Sequence, residues 1–184
     1  MEIHGVFIVV ETLGVLIRGE AGCGKSELAL ELIRRGHALV ADDAPRFRLD
    51  DAGRIVGRSP ALLRDFLEIR GLGLLNVRRL FGDAAVVAEH RLDFVVTLST
   101  APAEPPATEQ QRLFGCHDEH EILGLTIPGI RLTILPGRNL ATLVETSIRN
   151  HSLQRNGYNP AQDFQARLRR ELAAARRRNG SEQQ

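Results

Sequence analysis

Eight consecutive residues, Gly19-Glu20-Ala21-Gly22-Cys23-Gly24-Lys25-Ser26, fit the pattern G-x-x-x-x-G-K-[ST], which is the signature of a phosphate-cradling P-loop. Its glycines let successive backbone N–H groups turn toward phosphate oxygens where side chains would obstruct them, and the start of a following helix adds positive potential. Lys25 carries a cation with enough reach for terminal phosphates, and the Ser26 hydroxyl is a hard oxygen ligand for Mg²⁺. Two carboxylates, Asp42 and Asp43, close an apolar run shortly after this loop. Acidic residues at a strand end beside a P-loop either hold the metal or take a proton. Neighbouring side chains on a strand point to opposite sides, so at most one of the two faces the phosphate directly.

The flanking residues supply the elements this chemistry requires. Residues 5–10 and 14–18 are rich in Val, Ile and Leu around the turn-like "ETLG" and predict a hairpin whose second strand runs straight into the glycine loop. From residue 25 to 35, Leu28, Ala29, Leu32 and Ile33 share one helical face, and Gly36 is the stop signal. "HALVADD" is a short strand, completing a strand–loop–helix–strand unit. A P-loop that merely joined strand to helix would not need every fixed position, and without it the aspartates would read as a solvated turn.

Further along, residues 46–55 predict strand and turn, 59–66 a short helix opened by Ser59-Pro60, 84–88 a short strand and 94–99 a stronger one. Between residues 100 and 121 Pro, Glu, Gln, His and Ala occur without periodicity, predicting a long loop. Its Cys116, His117 and His120 lack a second cluster at metal-site spacing, so this is read as a polar loop. "GIRLTIL" is a strand, and "PGRN" turns it into a helix with Asn139 as N-cap and Leu140, Leu143, Val144 and Ile148 on one face. The final helix, residues 161–178, carries a stripe of Phe164, Leu168, Leu172 and Ala175 accompanied by six arginines. Such a stripe suits docking on a neighbouring protein.

At 184 residues with 43% apolar and 26% charged side chains, the expectation is a catalytic domain over residues 1–152 followed by a C-terminal helix and tail, 153–184. A net charge of +1 gives no global pull toward nucleic acid or an anionic membrane, and no apolar run approaches the ~20 residues of a membrane span. Two cysteines make no disulfide framework. The reading is a soluble, cytoplasmic protein with neither nucleic acid nor membrane as partner.

Four segments together resemble the catalytic domain of the HPr kinase/phosphorylase family: "HGV" from His4, the P-loop unit through Asp43, "EIRGLGLLNVRRLFG" from Glu68, and "PGRNLATLVE" from Pro136. They occur in the family's order, from His4 to about Asn150. The resemblance implies an α/β P-loop kinase fold related to phosphoenolpyruvate carboxykinase, with a C-terminal helical segment. It implies ATP- and Mg²⁺-dependent phosphorylation of a serine of HPr or a paralogue, reversal by phosphorolysis, a homo-oligomer, hexameric in the family, and a short form without the N-terminal domain.

Residue by residue, Asp43 matches the family's proton acceptor, His4 its companion, Glu68 a Mg²⁺ ligand beside Ser26, and Arg112 the catalytic arginine. The signature run is Glu68, Ile69, Arg70, Gly71, Leu72 and Gly73, an extended segment that puts Glu68 and Arg70 on one face. The phosphorolysis segment falls on Thr133, Ile134, Leu135, Pro136, Gly137 and Arg138. Leu135 stands where the family commonly has a basic side chain, so one phosphate-binding cation is missing and kinase activity is implied more directly than phosphorolysis. A small-molecule kinase would keep the site and change the acceptor pocket, whereas a non-catalytic nucleotide sensor would dispense with Asp43 and Arg112.

Overall fold

The structure, a computed structural model, describes residues 1–100 and 117–181 of the chain, with the side chains of the last helix described as far as residue 174. Hydrophobic alternation builds its centre. In β1 (Val6–Val10), Val6, Ile8 and Val10 enter one apolar core while Phe7 and Val9 enter another. β2 (Leu13–Arg18) divides in the same way, with Leu13, Val15 and Ile17 against Leu16. Strands apolar on both faces must be covered on both. The first core lies against α1 (Lys25–Arg34), and the second contains Phe47 and Ile55 of β4 (Arg46–Leu49) and β5 (Ile55–Arg58).

β1 and β2 form the expected antiparallel hairpin, and β3 (Ala38–Ala41) pairs antiparallel with the other side of β1. β9 (Phe94–Ser99) lies parallel to β2, and β11 (Leu125–Thr133) parallel to β9. β10 (His117–Ile122) closes the six-stranded order β10-β11-β9-β2-β1-β3. Because β3 and β2 are both antiparallel to β1, β2, β3, β9 and β11 share one direction. Their carboxyl ends therefore emerge at the same edge, where α/β sheets bind ligands.

A three-stranded sheet joins β4, β5 and β8 (Glu89–Arg91), and a separate hairpin joins β6 (Phe66–Ile69) to β7 (Gly73–Asn76). α2 (Val77–Phe81) follows β7, and α3 (Leu140–Arg155) packs into the first core through Ala141, Val144 and Ile148. Asn139 caps α3, its side chain accepting the Thr142 N–H at 2.9 Å. α4 (Pro160–Ser181) is the final helix.

Three expectations need correction. Residues 59–66 hold only a single 3-10 turn, Ala61–Leu63, because Leu62 is 87% exposed and a longer helix would have nothing to bury there. Residues 84–88 are not a strand: a 3-10 turn covers Asp83–Ala85, Val87 donates its N–H to Leu39 at 2.8 Å, and the strand begins at Glu89. Residues 117–121, read as loop, belong to β10. It is an edge strand whose alternation is between polar residues, so no apolar contrast announced it. His117 and His120, three positions apart, take opposite sides of that strand, and Cys116 lies outside the described residues.

Candidate functional site

The P-loop leaves β2 after Arg18 and becomes α1 at Lys25, as the motif demands. Gly24 caps the helix in the left-handed region, φ 93°, and no side chain caps the end, so the first N–H groups of α1 stay available to an anion. Lys25 is buried, and its Nζ donates to the carbonyls of Gly19 (3.1 Å) and Glu20 (2.9 Å), spanning its own loop. A Cβ on Gly22 would come within 3.0 Å of the Arg70 guanidinium, so that cation lies directly against the loop.

The two aspartates diverge where β3 ends. Asp42 turns inward and is 7% exposed. One of its oxygens accepts the Ser26 hydroxyl at 3.3 Å, the other the Glu68 backbone N–H at 2.9 Å. Burial pushes its carboxyl above the usual value of 3.8, against the Glu68 and Asp43 N–H groups and the Ser26 hydroxyl, which pull the other way. Asp43 adopts a left-handed backbone, φ 65°, that turns its carboxylate outward to His4 Nδ1 at 3.0 Å. The Gly5 N–H fixes the same turn by donating to the Asp43 carbonyl at 3.1 Å.

Glu68 and Arg70 project from β6 and the turn after it toward the P-loop, while Ile69 between them is buried in the core. Gly71 and Gly73, both at positive φ, bracket the exposed Leu72 in the hairpin turn. His4, Ala21, Lys25, Ser26, Asp43 and Glu68 are among the residues that face one open cleft of about 230 Å³.

Thr133 to Arg138 lies on the other flank of α1. Ile134 donates to the Ser99 carbonyl at 2.9 Å, and Arg138, in a turn through Leu135, Pro136 and Gly137, donates from its side chain to the Thr133 carbonyl at 3.3 Å. Ile134 and Arg138 face Cys23 and Gly24 across a second cleft. Leu135 is half exposed and supplies no cation. Arg112 lies outside the described residues.

The donor set fits Mg²⁺. The Ser26 hydroxyl and the Glu68 carboxylate are hard oxygens on one cleft, and the buried Asp42 touches both residues. Among the described residues no group of three His, Cys, Asp or Glu side chains could hold a metal by itself.

A family model described as HPr Serine kinase C-terminal domain matches residues 1–168. The chain belongs to that family. Proteins named HPr kinase/phosphorylase from Xanthomonas campestris pv. campestris (strain B100) and Xanthomonas axonopodis pv. citri (strain 306) are each 50% identical to it over 165 residues, covering 90% of this chain and 52% of theirs. The chain thus spans about half the length of these curated relatives. The structure described as that of the Hpr(Ser) kinase/phosphatase from Coxiella burnetii matches with a TM-score of 0.80 at 38% identity, over 89% of this chain and 98% of that one. The expected α/β kinase fold is therefore that of the HPr kinase C-terminal domain family.

Two features of this family member escaped the sequence reading. The sequence puts Asp42 beside the site but does not reveal it as the link between Ser26 and Glu68. The second is a polar cluster between α1 and α3, in which Glu145 accepts from Arg35 Nη1 (2.9 Å) and contacts His37 Nε2 (2.9 Å). Its sequence signal is faint: Arg35 and His37 flank the helix stop at Gly36, and only the fold brings Glu145 to them.

Proposed function

We propose that this chain is an ATP- and Mg²⁺-dependent protein kinase acting on a serine of an HPr-like phosphocarrier. The observation that carries the reading is that Asp43, held by His4, opens on the same cleft as Lys25, Ser26 and Glu68. The P-loop N–H groups and Lys25 bind the donor phosphates. Ser26 and Glu68 would hold Mg²⁺, which when bound neutralises phosphate charge. Asp43 accepts the proton of the attacking seryl hydroxyl as its oxygen bonds to the γ-phosphorus, and ADP leaves. His4 orients that carboxylate, and Arg70 adds positive charge beside the loop. Arg112 completes the set by family resemblance, as a guanidinium suited to the transferring phosphoryl group.

Phosphorolysis is the reverse direction, in which phosphate attacks phosphoserine, Asp43 returns the proton and pyrophosphate leaves. Arg138, across α1 from Asp43, is the available cation of the 133–138 segment. The same reading takes residues 1–152 as the catalytic unit and the remainder as a helix and tail for self-association, into a hexamer by resemblance. It assigns a cytoplasmic location and no nucleic-acid or membrane partner. No helix among the described residues is long and apolar enough to cross a membrane.

Asp43→Asn tests the assignment. An amide keeps the shape and the contact with His4 but cannot take a proton. The variant is expected to bind ATP and Mg²⁺ like wild type and to lose single-turnover transfer to HPr by roughly 10²–10⁴-fold. Transfer at the wild-type rate removes Asp43 as the base.

A further inference from the structure

The opposite edge of the sheet holds a second charged cleft. Asp93 immediately precedes β9, and its Oδ2 accepts the Gly14 N–H at the start of β2 at 3.0 Å. It therefore marks the amino ends of the two parallel strands whose carboxyl ends face the P-loop. β2 has six residues, so at about 3.3 Å per residue this edge lies roughly 20 Å from the phosphate cradle. Here β5, the start of β11 and the C-terminal part of α3 leave a cleft of about 480 Å³.

Its floor is apolar and includes the buried Leu92 and Ile127, and its rim carries Arg54, Arg91 and Arg155. Asp93, with only 4% of its side chain exposed, already has both oxygens engaged, Oδ2 by Gly14 and Oδ1 by Arg91. Arg155 stands 3.6 Å from that occupied Oδ1, too far for a hydrogen bond, and has no other acidic partner among the described residues. Arg54 pairs with Asp50 at 2.8 Å. Three guanidinium groups thus face two carboxylates. His151, on the wall, packs against the Phe94 ring at 4.9 Å between centroids, and burial favours its neutral form. The cleft combines an under-partnered guanidinium with an apolar floor, where charge is less screened than in open water.

The geometry points to a second ligand site here, for a small organic anion. Its phosphate or carboxylate group pairs with Arg155 and the free edge of Arg91, and a compact apolar body lies on the floor beside His151. Neither a bare inorganic anion nor an uncharged apolar molecule satisfies both halves. The site is separate from the kinase cleft and does not depend on the activity proposed for it.

The full chain carrying Lys25→Ala, which silences the P-loop as a competing anion site, is titrated with phenyl phosphate, benzoate or inorganic phosphate. Histidine ring resonances are followed by NMR, with His151 assigned from the spectrum of His151→Gln. Phenyl phosphate or benzoate is expected to move the His151 signal saturably, and which does so identifies the anion. Inorganic phosphate should bind at least about tenfold more weakly, and Arg155→Gln should weaken the organic anion by about tenfold with an unchanged melting temperature. If Arg155→Gln fails to fold, Arg155→Lys, which keeps the charge but loses the planar fork that pairs with the anion, is expected to weaken binding in the same assay. A His151 signal that neither organic anion moves overturns the proposal, as do equal affinity for inorganic phosphate and affinity unaltered in a folded arginine variant.

Discussion

At the scale of single residues, the two aspartates differ by environment rather than by type. Asp43 is exposed and paired with His4, whereas Asp42 is buried and committed to Ser26 and Glu68. Asp42 therefore makes stability depend on pH. Its folded pKa is raised above 3.8, so near and above that value the folded state binds more protons than the unfolded chain. Stability then falls as pH rises from 3.8 through the raised pKa, and the cost of the buried charge is complete above it. Asn in place of Asp42 removes the charge while its carbonyl still accepts from Glu68 and its amide donates to the Ser26 oxygen. Asp42→Asn is expected to melt at or above the wild-type temperature at pH 8, with the difference vanishing below pH 3.8. Under the kinase reading it also weakens the Mg²⁺ dependence of transfer, because the ionised link between Ser26 and Glu68 is gone. Melting curves across pH together with a Mg²⁺ titration check both halves. A variant less stable than wild type at pH 8 would mean that the charge is compensated by contacts beyond those named.

Among elements, the one that organises the site is α1. Its first turn holds Lys25 and Ser26, and Arg35 and His37, just past its end, tie it to α3. Glu11 donates its backbone N–H to His37 Nδ1 at 3.3 Å, which leaves the ring proton on Nε2, facing Glu145 Oε1 at 2.9 Å. Arg35 bonds Glu145 and Thr142 and reaches the Asn139 side chain at 3.3 Å. Asn139 follows Arg138 and caps α3, so this cluster fixes the turn carrying Arg138 relative to the P-loop helix. Burial pushes the Glu145 carboxyl up, but the His37 and Arg35 hydrogen bonds outweigh it and hold the group below 4.5. A depressed carboxylate contributes stability that is full above 4.5 and is lost as pH falls through its folded pKa. Glu145→Gln is expected to lower the melting temperature by roughly 2–6 °C at pH 7, the effect of one or two net hydrogen bonds in a chain of this size. The gap should close in acid, and equal melting at pH 7 would leave the cluster without a structural role. The hairpin, α1 and the Asn139 cap were legible because their apolar spacing and capping residues are local. β10 was not, since its strand state comes from pairing with β11, and the Arg35–His37–Glu145 cluster was not, since its members meet only through packing.

For the whole molecule, the last helix is the part least accounted for by the chain's own core. α4 is 22 residues long. Ala161, near its start, is buried, but Phe164, Leu168 and Leu172, one helical turn apart, are 51%, 46% and 54% exposed. Along its first turns Asp163 pairs with Arg167 at 2.7 Å, which supports the helix without covering the stripe. An apolar stripe at i, i+4 and i+8 is the pattern of a helix that buries one face, and neither apolar core includes these three residues. Under the kinase reading the cover is a second copy of the chain. Light scattering is expected to report a homo-oligomer, and Leu168→Glu, which puts a charge in the middle of the stripe, should shift it toward monomer by raising the cost of desolvating that face. Because Leu168 touches neither the P-loop nor the Asp43 cleft, ATP binding by the dissociated variant should remain within about twofold of wild type, the size of a change below 0.5 kcal/mol. A wild-type chain that is monodisperse and monomeric at assay concentration while phosphorylating HPr would show that the stripe serves no self-association needed for transfer. An oligomer unaffected by Leu168→Glu would place the interface on another face of the molecule.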